Sequence, residues 1–159
     1  MAHIGLLLPR HARYRPDRLC LVHGDNRLTW RAFNERVNRV VNALLKHGLR
    51  KGDKLATLLP NCQEQLELYF ACAGTGIVVV PSSTLLKESG IATLLRDSDT
   101  VLVVAHRSFA GMLAAVRDRL PAIGAGRWIL VGEETPVKGF HSYESLLEGA
   151  PAALLPMPV

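Results

Sequence analysis

The feature that most constrains this chain is a series of short apolar runs set a helix-length apart. Lys54–Leu59 reads KLATLL and stops at Pro60; Ile77–Val80 reads IVVV and stops at Pro81; Val101–Ala105 reads VLVVA. Runs without polar alternation read as strands buried on both faces. A proline lacks the N–H that a ladder needs, so Pro60 and Pro81 end two of them. The segments between carry helical signals. Asn61 followed by Glu64 resembles a capping box and opens a helix to about Ala73, and Lys87–Asp97 gathers Ile91, Leu94 and Leu95 on one side. A further helix over Phe109–Leu120 leads to a fourth strand, Trp128–Val131. Alternation at this pitch means parallel βαβ units with right-handed crossovers. The expected fold is α/β: a mainly parallel four-stranded sheet with helices on both faces.

A hairpin and a helix precede that sheet. Leu19–Val22 and Arg27–Thr29 flank the turn residues His23-Gly24-Asp25-Asn26. Thr29 then caps a helix whose apolar positions, Phe33, Val37, Val40, Val41, Leu44 and Leu45, form one stripe that ends at Gly48. A short helix over Ser142–Leu147 precedes a proline-rich end. With 159 residues, 48% hydrophobic and 21% charged, the chain reads as one globular domain over residues 1–150 and a tail over 151–159.

The formal charge is +5, but the arginines scatter through the first forty residues without a run of like charges or interleaved aromatics. Nucleic acid is therefore not expected as a partner. Three cysteines, Cys20, Cys62 and Cys72, make no C-x-x-C pair and leave one over, which points to a reduced, cytoplasmic setting. Met1–Leu8 reads as an opening amphipathic helix rather than a signal peptide, and no apolar stretch reaches the roughly 20 residues of a membrane span.

An open parallel sheet binds ligands outside the carboxyl ends of its strands. The loops to watch are Pro60-Asn61, Pro81–Thr84, His106–Ser108 and Gly132–Thr135. None holds a Walker loop, and Gly74-Thr-Gly76 precedes a strand where a dinucleotide fingerprint should follow one. No serine sits in a G-x-S-x-G elbow. The six histidines show no zinc-binding spacing, so no metal ligand is assigned. Glu64 and Glu67 could pair as carboxylates, although a solvated helix face is the expectation. His106, at a strand end, is a candidate without a nucleophile in view. Ser82-Ser83-Thr84 is expected to supply helix-entry hydroxyls, with a contribution to a ligand pocket as the alternative.

Several segments in order resemble the amino-terminal subdomain of the adenylate-forming, AMP-binding ligases, above all acyl-CoA synthetases. They are Leu28-Thr29-Trp30 before the long helix, Gly52-Asp53 before the first strand, and Leu59-Pro60-Asn61 at its end. Gly76 to Pro81 then resembles the family's glycine leading into an apolar strand that closes in Val-Pro, and Asp97-Ser98 stands before the next strand. The resemblance runs over about residues 14–132. Ala32 stands where the family often has a glutamate, and Ser82-Ser83 where it often has Asn-Pro.

The resemblance implies a parent enzyme that uses ATP, Mg2+ and coenzyme A to turn a carboxylic, in particular fatty, acid into an acyl-adenylate and then a thioester. It also implies that the phosphate loop, adenine contacts, ribose-binding aspartate and catalytic lysine lie beyond Val159, so this piece is expected to be scaffold. No catalytic or cofactor-binding residue is assigned within it, and its substrate contacts stay open. Its expected partners are the remainder of its own chain and, through an uncovered surface, a second copy. A fatty acyl-AMP ligase, a peptide-synthetase adenylation domain and a stand-alone binding module are the alternatives.

Overall fold

The computed structural model describes residues 4–132 and 135–154. They divide into two compact units, one of residues 4–52, 62–77 and 149–154, the other of residues 53–61, 78–132 and 135–148.

The first unit is helical with a small hairpin. A short 3-10 turn, Ile4–Leu6, leads into α1, Leu7–Tyr14, where Pro9 sits in the first turn and costs no helical hydrogen bond. The expected opening helix thus begins later, and Met1–His3 lie outside the described residues. Strands β1 (Leu19–His23) and β2 (Asn26–Thr29) pair antiparallel around Gly24, whose φ of +57° suits glycine. The long helix α2 spans Trp30–Lys46. Thr29 caps it by accepting the Ala32 N–H at 3.2 Å, and the left-handed Gly48 closes it. Phe33, Val37, Val40, Val41 and Leu44 form its buried stripe, as the spacing predicts. Helix α3, Gln63–Thr75, packs on α2 and ends at Gly76 with φ +76°.

Its start departs from expectation, because the N-cap is Cys62 rather than Asn61 and makes no side-chain cap. A thiol is a weak acceptor, so the first turn of α3 lacks the reciprocal bonds of a capping box.

The second unit holds the sheet. Strands β3 (Lys54–Leu58), β4 (Val78–Pro81), β5 (Thr100–His106) and β6 (Trp128–Val131) are the four expected, and all pair in parallel. A fifth strand of two residues, β7 (His141–Ser142), extends the edge beside β6. Two residues are too few to leave an apolar signature. The spatial order is β4-β3-β5-β6-β7.

Helices α4 (Glu88–Asp97), α5 (Ala110–Arg117) and α6 (Tyr143–Leu147) complete the unit. One core joins Ala56, Leu58, Val103, Ala105 and Leu130 of the sheet to Ile91 and Leu95 of α4 and Leu113 and Val116 of α5. The alternating strand residues Leu55, Leu102, Val104 and Ile129 are buried as well. The sheet is thus covered on both faces and flanked by helices, which accounts for its unalternated apolar runs.

Candidate functional site

The strand order fixes where a ligand site belongs. The chain leaves β3 for β4 on one side and returns to place β5 on the other, so the crossover direction reverses between β3 and β5. In doubly wound sheets the ligand crevice opens at that reversal, beyond the carboxyl ends of the strands. Leu58 lies opposite Ala105 in register, so Leu59-Pro60-Asn61 and His106 flank the opening. Pro81 pairs with Thr57 beside it, and Val131 pairs with His106 on the far side. The sequence-selected loops therefore do converge at one end of the sheet, except that Glu133 and Glu134 lie outside the described residues.

His106 is half-buried. Its Nδ1 lies 2.8 Å from Ser108 Oγ and accepts the Ser108 backbone N–H at 3.3 Å, capping the turn Arg107–Phe109. In the neutral ring this leaves the proton on Nε2. The ring edge bearing Nε2 faces Gly132, where an added Cβ would stand 3.1 Å away, and Gly132 has φ +80°. The imidazole is a capping group, and the one hydroxyl it contacts, Ser108 Oγ, belongs to the turn that it caps.

The hydroxyl cluster divides its roles. Ser83 Oγ accepts the Leu85 N–H at 3.3 Å, closing a turn, while α4 starts only at Glu88 with Lys87 as an N-cap that makes no side-chain bond. The helix-entry expectation is corrected: the bound hydroxyl orders the turn before the helix. Ser82 donates its backbone N–H to the Thr57 carbonyl at 2.8 Å, but its buried Oγ has no partner, and neither has the buried Thr57 Oγ1. Buried hydroxyls without partners are uncommon, and these two lie at the adjacent ends of β3 and β4, beside the predicted crevice.

The glutamate pair resolves differently. Glu64 is partly exposed, but Glu67 is fully buried, against the solvated-face expectation. Its carboxylate takes a two-pronged bond from Arg36, Nε to Oε1 at 2.8 Å and Nη2 to Oε2 at 3.1 Å, and Gln63 Nε2 donates to Oε1 at 2.8 Å. This joins α2 to α3 and is structural. Sequence reasoning missed it because Arg36 and Glu67 stand 31 positions apart.

A second polar device was also missed. From α2, Asn38 donates to Ala152 O, Arg39 to Ala150 O, and the buried Asn42 to both Pro151 O and Ala153 O, all at 2.6–2.9 Å. Three side chains on one helix face hold a segment that has no secondary structure of its own.

An open hollow lined by Arg117, Trp128, Phe140 and His141 lies at the amino ends of β6 and β7, the wrong end for a site in this topology. The Arg117 guanidinium there is already bound to Gly139 O at 2.6 Å and covers the Phe140 ring.

The comparisons with known proteins agree with the topology. The family model described as "AMP-binding enzyme" matches residues 8–150. The chain belongs to the AMP-binding enzyme family. Among similar relatives, a feruloyl-CoA synthase of Amycolatopsis is 34% identical over 128 residues, covering 80% of this chain and 26% of that protein. A long-chain-fatty-acid–CoA ligase of Mycobacterium tuberculosis is 32% identical, covering 74% of this chain and 24% of that protein. The chain thus spans about a quarter of the length of the curated relatives it matches. Among solved structures, an anthranilate CoA ligase in complex with anthranoyl-AMP superposes with a TM-score of 0.89 at 25% identity, over 96% of this chain and 29% of that one.

Among the described residues, the strand ends present prolines, two unpartnered hydroxyls and a capped imidazole. Among the described residues, no group of three or more His, Cys, Asp or Glu side chains is placed to hold a metal.

Proposed function

We propose that the chain is the amino-terminal piece of an AMP-forming acid–CoA ligase and serves there as scaffold. In this reading residues 1–150 are the amino-terminal α/β subdomain, 151–159 lead to the rest of the polypeptide, and the setting is the cytoplasm. The observation that carries it is the match of residues 8–150 to the family model by a chain that spans about a quarter of its relatives' length.

The parent reaction joins ATP to a carboxylate, releases pyrophosphate, and then lets coenzyme A displace AMP. No side chain of residues 1–159 acts as catalyst or binds the nucleotide in this reading. The match to several CoA ligases supports coenzyme A as the acceptor. The carboxylic acid is named only as a class.

The test is to incubate the longer protein with ATP, Mg2+, coenzyme A and a panel of fatty and aromatic acids, and to detect thioesters by mass spectrometry. Thioester formation by the longer protein and none by residues 1–159 is expected. Adenylate without thioester would favour an acyl-AMP ligase, and thioester made by residues 1–159 alone would refute the scaffold reading.

A further inference from the structure

We propose that the outer face of α1, with the 3-10 turn before it, is a docking surface for an anionic lipid bilayer. The first sixteen residues contain Arg10, Arg13 and Arg15 and no acidic residue; the first carboxylate, Asp17, is taken by Arg31 at 3.1 Å.

The segment is anchored from its inner side. Leu8 is 1% exposed, and an added Cβ at Gly5 would meet the Ala73 carbonyl oxygen of α3 at 2.7 Å, so the turn lies directly on that helix. The outer side carries what a solvated face avoids: Ile4, Leu6, Leu7 and Tyr14 are 61%, 52%, 46% and 70% exposed. Leu7, Arg10, His11, Tyr14 and Arg15 line one groove, at the spacing of a single helical face. Arg13 extends over the Tyr14 ring at 5.7 Å.

Large apolar side chains among cations, with no acid opposing them, match the chemistry of a bilayer boundary. Aliphatic and aromatic groups enter the acyl margin while guanidinium groups sit among lipid phosphates. Charge complementarity selects the lipid. A polyanion such as nucleic acid would meet the arginines but leave the aliphatic row in water. An uncharged apolar partner would leave the arginines unmatched.

The test is sedimentation of the chain with vesicles of phosphatidylglycerol and phosphatidylcholine in equal parts. Binding is expected at low salt, at least tenfold weaker on pure phosphatidylcholine, and falling as NaCl rises from about 0.05 to 0.5 M. Each arginine near such a surface contributes about fivefold, so R10E/R13E/R15E should bind about 100-fold more weakly or worse. L6S/L7S should lose about tenfold.

A second readout needs no substitution. Trp30 stacks on His11 at 4.5 Å, so brominated lipid should quench it, whereas the fully buried Trp128 should be spared. Equal binding to neutral vesicles, a triple variant within twofold of the parent, or unquenched Trp30 would each overturn the proposal. So would a longer protein that ignores vesicles the chain binds, since the face would then be covered by polypeptide.

Discussion

The two units differ in what holds each of them together internally. In the sheet unit, strands and helices share one apolar core, and the unpaired polar atoms Thr57 Oγ1 and Ser82 Oγ sit at the strand ends. In the helical unit, α2 also carries an apolar stripe, but it ties itself to α3 through Arg36–Glu67 and to residues 150–153 through Asn38, Arg39 and Asn42. The sheet unit tolerates polar groups where a ligand crevice belongs. The helical unit spends most of its buried polar groups on itself, Gln65 Nε2 excepted, which suits a frame.

The contrast is easiest to break at its two strongest points. Trp128, fully buried in β6, should cost about 3–5 kcal/mol when changed to alanine, seen as a lowered urea midpoint. Glu67→Ala leaves Arg36 without its carboxylate in a partly buried site and should cost about 3 kcal/mol. The double variant Arg36→Met/Glu67→Leu should recover most of that loss, because an apolar pair of similar volume removes both desolvated charges. Failure to recover would mean that the ion pair does more than hold two helices.

Smaller effects sharpen the comparison. Asn42→Ala should cost about 1–3 kcal/mol and speed amide exchange at residues 150–153, since two carbonyls lose their donor. Gly132→Ala should cost about 1–2 kcal/mol, as φ +80° disfavours a side chain and the new methyl crowds His106 Nε2.

The least effect concerns pH. Burial pushes the Cys72 thiol up to about 12 and, as the largest cause, the Cys62 thiol up to about 11. An unfolded chain ionises these thiols near 9 and the folded one does not, so their contribution is full below pH 9 and declines as pH rises toward 11–12. Cys72→Ala should flatten the loss of stability between about pH 9 and 12, read from urea midpoints.

Much of the fold was legible because apolar periodicity is a local property. The four sheet strands, the α2 stripe and the Thr29 cap each follow from residues a few positions apart. The site was legible only as a place: topology brings Pro60, Ser82, His106 and Gly132 to one end, but nothing local marks Ser82 Oγ as unpartnered. Glu67 was misread because its exposure depends on Arg36, a contact made by tertiary packing. The Cys62 cap was missed because Asn61 carries the better capping side chain, yet the helix begins one residue later. The edge strand β7 gains its identity only from β6.

On the proposed reading, this chain frames a nucleotide-dependent reaction without holding the nucleotide. The most direct measurement is a calorimetric titration of residues 1–159 with ATP and Mg2+, repeated with AMP. The account predicts no saturable heat up to millimolar ligand. Saturable one-to-one binding in the micromolar range would contradict it.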